Sequence, residues 1–207
     1  MRKKSHISLA RYLMNSMQVQ DLNEHKHAFY IGSILPDLKL SFLTKRHTID
    51  ATFETLIDEI KKITIDYDVN KGINGYYARH LGVITHYLSD YCTFPHNSIF
   101  KGSISEHCIY EKELKFSLRE YVQSETAQKE REEYMFYHTY DEIIAFIIKT
   151  HKEYLKAIKV VTEDFQYIVD LSYQVVNAIL IFFEMACENI KANLSDGQRM
   201  QVELAQA

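Results

Sequence analysis

Apolar residues recur along this chain at three- and four-residue intervals and rarely alternate, so the elements they predict are helices. Ile7, Leu9, Ala10, Leu13, Met14 and Met17 mark a first stripe, with Ser5 placed to cap it. A second helix, AFYIGSIL, opens near Asn23 or Glu24, and Pro36 ends it by disfavouring helical backbone at the residue before. Asp50 is expected to cap a third that reaches about Tyr67, and DVNKGING reads as loop. From Gly75 to about Phe94 the positions Leu81, Ile84, Leu88 and Tyr91 form another stripe, which Pro95 breaks. Ser105 is placed to cap a helix that runs to about Val122. Glu125 to Glu133 is a charge run at a helix start, followed by long amphipathic helices at Tyr140–Lys159 and Glu163–Asn193. The pattern predicts one all-α, multi-helix domain over residues 1–193 and a flexible tail over 194–207.

Composition narrows this little. The 207 residues are 46% apolar and 25% charged, ordinary values for a single core, and six Gly with two Pro leave few helix breakers. Fifteen Tyr and eleven Phe with no Trp give an aromatic core. A net charge of −4 argues against a general nucleic-acid binder. Cys92, Cys108 and Cys187 form no CxxC and read as reduced thiols. The opening MRKKSHISLARYLM is basic then apolar, but Ser5, His6, Ser8 and Arg11 interrupt the apolar run and no small-residue cleavage site follows. The most apolar run, VVNAILIFFEMA, is shorter than the roughly eighteen residues that span a bilayer. The expected location is therefore cytoplasmic, with no transmembrane segment.

The chemistry concentrates between His86 and Glu111. His86 and Asp90 stand four apart, as do His107 and Glu111, and His96 follows a proline between the pairs. Residues four apart share a helix face, so each pair aims two donor atoms at one point. Imidazole with carboxylate suits zinc and related ions. Upstream, His6, Asp37 and His47 bring the candidate metal ligands to eight. Gly82, four before His86, is a place where another backbone or the metal site can approach closely. His25, His27, His80, His138 and His151 lack a partner at matching spacing and read as structural, although Arg79 or His80 could line the site.

Taken in order, SH, GSILPD, RHT, HYLSD, PHN and EHCIYE resemble the bacterial zinc-dependent phospholipase C family, whose fold is related to the P1-type zinc nucleases. The resemblance covers residues 5 to about 114. It implies three metal sites: Asp37, His47, His86 and Asp90 at one, Asp90 bridging to a second that His6 also binds, and His96, His107 and Glu111 at a third. It also implies two or three Zn2+ ions that clamp phosphate oxygens and ionise a water near neutrality, with Asp37 as the carboxylate that acts as base or orients that water. In secreted members a processed N-terminal Trp completes the His6 site; here the missing donors would come from water, from substrate, or from Met1 if the chain folds back.

The function these residues predict is a metal-dependent phosphoric ester hydrolase, phospholipase C-like. Arg46 or Arg79 are candidates to engage a phosphate. Leu38 and Thr44 stand where choline-binding members carry aromatics, so a cage for a quaternary ammonium is not expected unless Tyr87 or Phe42 rebuild it. The expected partner is a phosphate ester, with phospholipids among the candidates, rather than a stable nucleic-acid complex. Two other readings remain open. A P1-like nuclease would use Tyr76, Tyr77 or Phe94 to stack a base. A metal-binding protein without turnover would use the cluster to stabilise its fold.

Overall fold

The computed structural model describes residues 1–38, 47–124, 127, 137 and 139–205, with side chains as far as residue 193. The described residues form eight α-helices and three short 3₁₀ turns, with no strand among them. In chain order the helices are α1 (Lys3–Met17), α2 (Gln20–Glu24), α3 (Lys26–Ile34), α4 (Ile49–Ile63), α5 (Gly75–Tyr91), α6 (Ile104–Tyr121), α7 (Tyr140–Tyr154) and α8 (Val161–Ala205). The expected fold class is the observed one.

Helix ends differ from the expectation in several places. Ser5 does not cap α1; it is buried inside the first turn, and Arg2 holds the N-cap position. Asp50 likewise falls within the first turn of α4, after Thr48. The cap of α6 is Ser103 rather than Ser105, because Ser103 has a Glu three residues on. Its hydroxyl accepts from the Glu106 N–H while the Glu106 carboxylate accepts from the Ser103 N–H, a reciprocal capping box. Thr139 and Glu142 repeat that arrangement at α7, which closes at Tyr154 and not at Lys159. Helix α5 ends at Tyr91, short of Phe94, because the Asn97 side-chain amide donates to the carbonyls of Tyr91 and Thr93 at 3.1 and 2.9 Å. Those bonds satisfy groups that a helix end leaves orphaned, and they turn the chain into the 3₁₀ turn Phe94–His96. The backbone of α8 continues to Ala205, through most of the stretch expected as a tail.

Helix α5 is the axis of the molecule and packs against α1, α3, α4 and α8. Its stripe Tyr77, Leu81, Ile84, Leu88 and Tyr91 is fully buried. Segment Val161–Asn193 of α8 is long and apolar enough to cross a membrane by length and composition, at mean hydropathy 1.5. Ile168, Leu171, Val175, Val176 and Ile179 of that segment are instead buried in the core. All three cysteines are free thiols.

The contact between α3 and α5 is made through two glycines. A Cβ at Gly32 would overlap the Arg79 carbonyl, and one at Gly82 would overlap the Phe29 carbonyl and the Ser33 nitrogen. The expected close approach at Gly82 is thus real, and it is α3 that approaches.

Gly82→Ala separates packing from propensity. In an open helix this change stabilises by up to about 1 kcal/mol; here overpacking should reverse the sign and cost about 1–3 kcal/mol in urea or thermal unfolding. A neutral or stabilising result would mean that the α3–α5 seam is looser than described.

Candidate metal centre

Four elements deliver the donor atoms to one buried point: α1 brings His6, the turn after α3 brings Asp37, α5 brings His86 and Asp90, and α6 brings His107 and Glu111. His47 lies just before α4, and His96 closes the turn after α5. Asp90 stands at the middle, fully buried. Its Oδ2 faces His47 Nδ1 at 3.1 Å and His86 Nε2 at 3.2 Å. Its Oδ1 faces His6 Nε2 at 3.5 Å, His96 Nδ1 at 3.4 Å and the Met1 amine at 2.6 Å. The two oxygens of one carboxylate therefore serve two different groups of nitrogens.

Around Oδ2, His86 Nε2 and His47 Nδ1 lie 3.0 Å apart, and Asp37 Oδ1 comes within 3.7 Å of His47 and 3.8 Å of His86. In a separate group, Glu111 Oε1 faces His96 Nε2 at 3.2 Å, His107 Nε2 at 3.3 Å and the Met1 amine at 3.2 Å. Donor atoms of a tetrahedral zinc site with bonds of about 2.0–2.1 Å stand about 3.3 Å from one another. The observed spacings bracket that value. Three sets, His6–Asp37–His86, His47–His86–Asp90 and His96–His107–Glu111, each have donor atoms within 4.8 Å of one another. A second observation agrees: the buried ring nitrogens His6 Nε2 and His96 Nδ1 have no hydrogen-bond partner among the described residues. Such orphaned nitrogens are costly unless something else takes their lone pairs. The residues present fit a cluster of zinc-like ions.

Outer partners fix which nitrogen faces inward. His86 Nδ1 lies 2.9 Å from the Ser33 carbonyl, which can only accept, so Nδ1 carries the proton and Nε2 points its lone pair at the cluster. The Ser89 hydroxyl donates to the His86 carbonyl at 2.8 Å, which leaves its oxygen to accept from His6 Nδ1 at 3.1 Å. His6 Nε2 is then the free donor atom. The His6 and His86 rings stack with centroids 4.0 Å apart, locking both.

The electrostatics are those of a dense, desolvated group. Burial, with the neighbouring His86, drives the His6 imidazole down to about 3, so it is neutral at ordinary pH. Burial would raise Asp90, but the Met1 amine and the histidines around it more than offset this and hold its carboxyl well below the usual range. Glu111 is held low against its own burial by hydrogen bonds from His107 and His96. Burial pushes Asp37 up, and Asp90 adds to that, against the pull of His86.

Every described candidate ligand thus reaches the cluster. Among the histidines read as structural, His80 pairs with Glu59 and His151 is buried beside Tyr91 and Tyr154. Arg79 and Tyr76 sit together near His80 and not at the ligands. Arg46, Thr44, Phe42 and His138 lie outside the described residues.

Three participants had no local signal or only a partial one. Met1 folds back so that its amine reaches both Asp90 and Glu111. Ser89 shares the face of His86 at helical spacing. Asp164 of α8 accepts from the Phe94 N–H at 2.7 Å and from the Tyr154 hydroxyl at 2.7 Å, pinning the turn that carries His96. Burial raises its carboxyl to about 6 despite those donors. Asp164 is 70 positions from Phe94, so no spacing rule connects them.

The family model for zinc dependent phospholipase C matches residues 5–159, a span that contains all eight side-chain ligands. No curated protein and no solved structure matches the chain.

Asp90→Asn should lose two ions at once, because each of its oxygens faces its own group of nitrogens. His107→Ala, remote from Asp90, should empty one set only. His96 is a poorer probe, since its ring faces Asp90 on one side and Glu111 on the other. Elemental analysis of the purified variants reads the difference, and equal single-ion losses would refute the bridging role of Asp90.

Proposed function

The chain belongs to the zinc-dependent phospholipase C family, and we propose that it hydrolyses a phosphoric ester at this cluster with two or three zinc ions. What most supports the reading is the split of the Asp90 oxygens between two sets of nitrogens, with the His96–His107–Glu111 set beside them. Zinc in such a donor set supplies Lewis-acid polarisation of a phosphate oxygen and a nucleophile ionised from water near neutrality.

The chain's own residues divide the remaining work. Asp37, His47, His86 and Asp90 hold one ion. His6 and the other oxygen of Asp90 hold a second, with the Met1 amine as the donor that their short list of side chains lacks. His96, His107 and Glu111 hold the third. Asp37 is the candidate base: it stands at the edge of its set, the longest contacts in the group are its own, and its carboxyl takes a proton more readily than an ordinary Asp. His107 is the ligand most open to solvent, with its side chain 34% exposed, so substrate approaches from the α6 side. Phe100 stands edge-on to that ring with centroids 6.1 Å apart and offers an apolar surface there.

Selectivity for choline is not built at Leu38, an exposed aliphatic residue that offers no π face. The nuclease reading lacks a stacking platform among the residues named for it. Tyr77 is a core residue, and Phe94 is packed against Phe100 and Tyr110. Tyr76 opens α5 about 15 Å along the axis from His86.

A panel of phospholipids, nucleotides and aryl phosphates tests this on zinc-loaded protein. We expect turnover of a phosphate ester that chelation abolishes and zinc restores, without preference for phosphatidylcholine over other headgroups. Asp37→Asn should lower turnover by about 10²–10⁴-fold while the metal content measured on the same sample stays within one ion of the parent. Metal with no turnover on any ester would leave the cluster a structural device.

A further inference from the structure

Helices α1 and α6 lie side by side and carry ligands inward; outward they form a groove of about 790 Å³. Five cations line it, Lys3, Lys4 and Arg11 from α1 and Lys115 and Arg119 from α6. None of the five has an ion pair to a carboxylate among the described residues. In a chain with net charge −4 this is a local concentration of the minority sign. Glu106, Glu113 and Glu120 repeat every seven residues along α6, and none of them lines the groove.

Phe116 of α6 lines this groove and is 54% exposed, whereas Ile104 and Ile109 of the same helix, 84% and 63% exposed, lie outside its lining. Ile7 of α1 lines the same groove. Lys115 lays its ammonium over the Phe116 ring at 3.9 Å from the centroid. Cations gathered around an exposed aromatic ring in an open groove are the chemistry of interfacial binding, in which apolar groups enter the headgroup boundary and cations meet lipid phosphates.

We infer that the α1–α6 face docks the protein on an anionic phospholipid surface. Charge complementarity selects that occupant over a neutral bilayer, and the exposed Phe116 ring with Ile7 beside the cations selects it over a soluble anion. The geometry also relates docking to the cluster, since His107 and Glu111 lie on the helix that would rest against the lipid. The inference gains a purpose from the phospholipase reading but does not depend on it, because binding is measured without turnover.

Co-sedimentation of the zinc-loaded full chain with vesicles decides the matter. Binding is expected to phosphatidylcholine vesicles in which about a third of the lipid is phosphatidylglycerol, to weaken with salt, and to be absent from pure phosphatidylcholine. Each lysine or arginine near such a surface is worth about fivefold in partitioning, so Lys115→Ala with Arg119→Ala should lose about 25-fold. Phe116→Ser should weaken binding independently of salt. The control pair Lys149→Ala with Lys152→Ala removes the same charge from the exposed side of α7 and should leave binding unchanged. Hydrolysis of a soluble aryl phosphate, where present, should be the same for all these variants. Equal loss in the control pair, wild-type binding by the Lys115/Arg119 variant, retention on RNA but not on vesicles, or no preference for anionic lipid would each overturn the inference.

Discussion

One fully buried carboxylate sets the terms for the rest of the molecule. An ionised Asp removed from water is strongly unfavourable unless cations and donors surround it. Asp90 meets that demand with an amine and four imidazoles drawn from the N-terminus, α1, the segment before α4, α5 itself and the turn beyond it. Those partners come from 89 residues away at the farthest. Satisfying a single side chain in this way obliges α1, the start of α4 and the turn after α5 to converge on α5, so the topology and the site express one constraint.

Convergence alone would not give usable donors, since an imidazole offers either of two nitrogens. The surrounding backbone makes the choice. Gly32 and Gly82 let α3 lie against α5 closely enough for the Ser33 carbonyl to take the outer proton of His86. Ser89 makes the same choice for His6. Asn97 and Asp164 hold the turn that presents His96, one by satisfying the end of α5 and the other by reaching in from α8. The packing of the core is thereby transmitted to ring orientation, which is how a second layer of hydrogen bonds tunes a metal site.

How much of this is legible in the sequence depends on range. Helical periodicity identifies the fold class, and the four-residue spacing of His86 with Asp90 and of His107 with Glu111 identifies the heart of the site, because both are local properties of a helix. Caps are local too, yet Ser103 and Ser105 look alike until the reciprocal Glu106 is considered. Gly82 is legible as a close approach, though not which backbone approaches. Residues that act across the fold leave no such trace. Nothing near Asp164 points to Phe94, and the return of Met1 to Asp90 depends on where α1 packs rather than on the residues of the first turn.

The central claim is that Asp90 joins two ions through its separate oxygens. Diffraction from zinc-soaked crystals, recorded on either side of the zinc absorption edge, locates the ions without reference to the protein atoms. The account predicts two anomalous peaks flanking Asp90, each within about 2.0–2.2 Å of a different carboxylate oxygen, with His47 and His86 around one and His6 with the Met1 amine around the other. A single peak at Asp90, or two peaks of which one lies beyond bonding distance of that carboxylate, would contradict it.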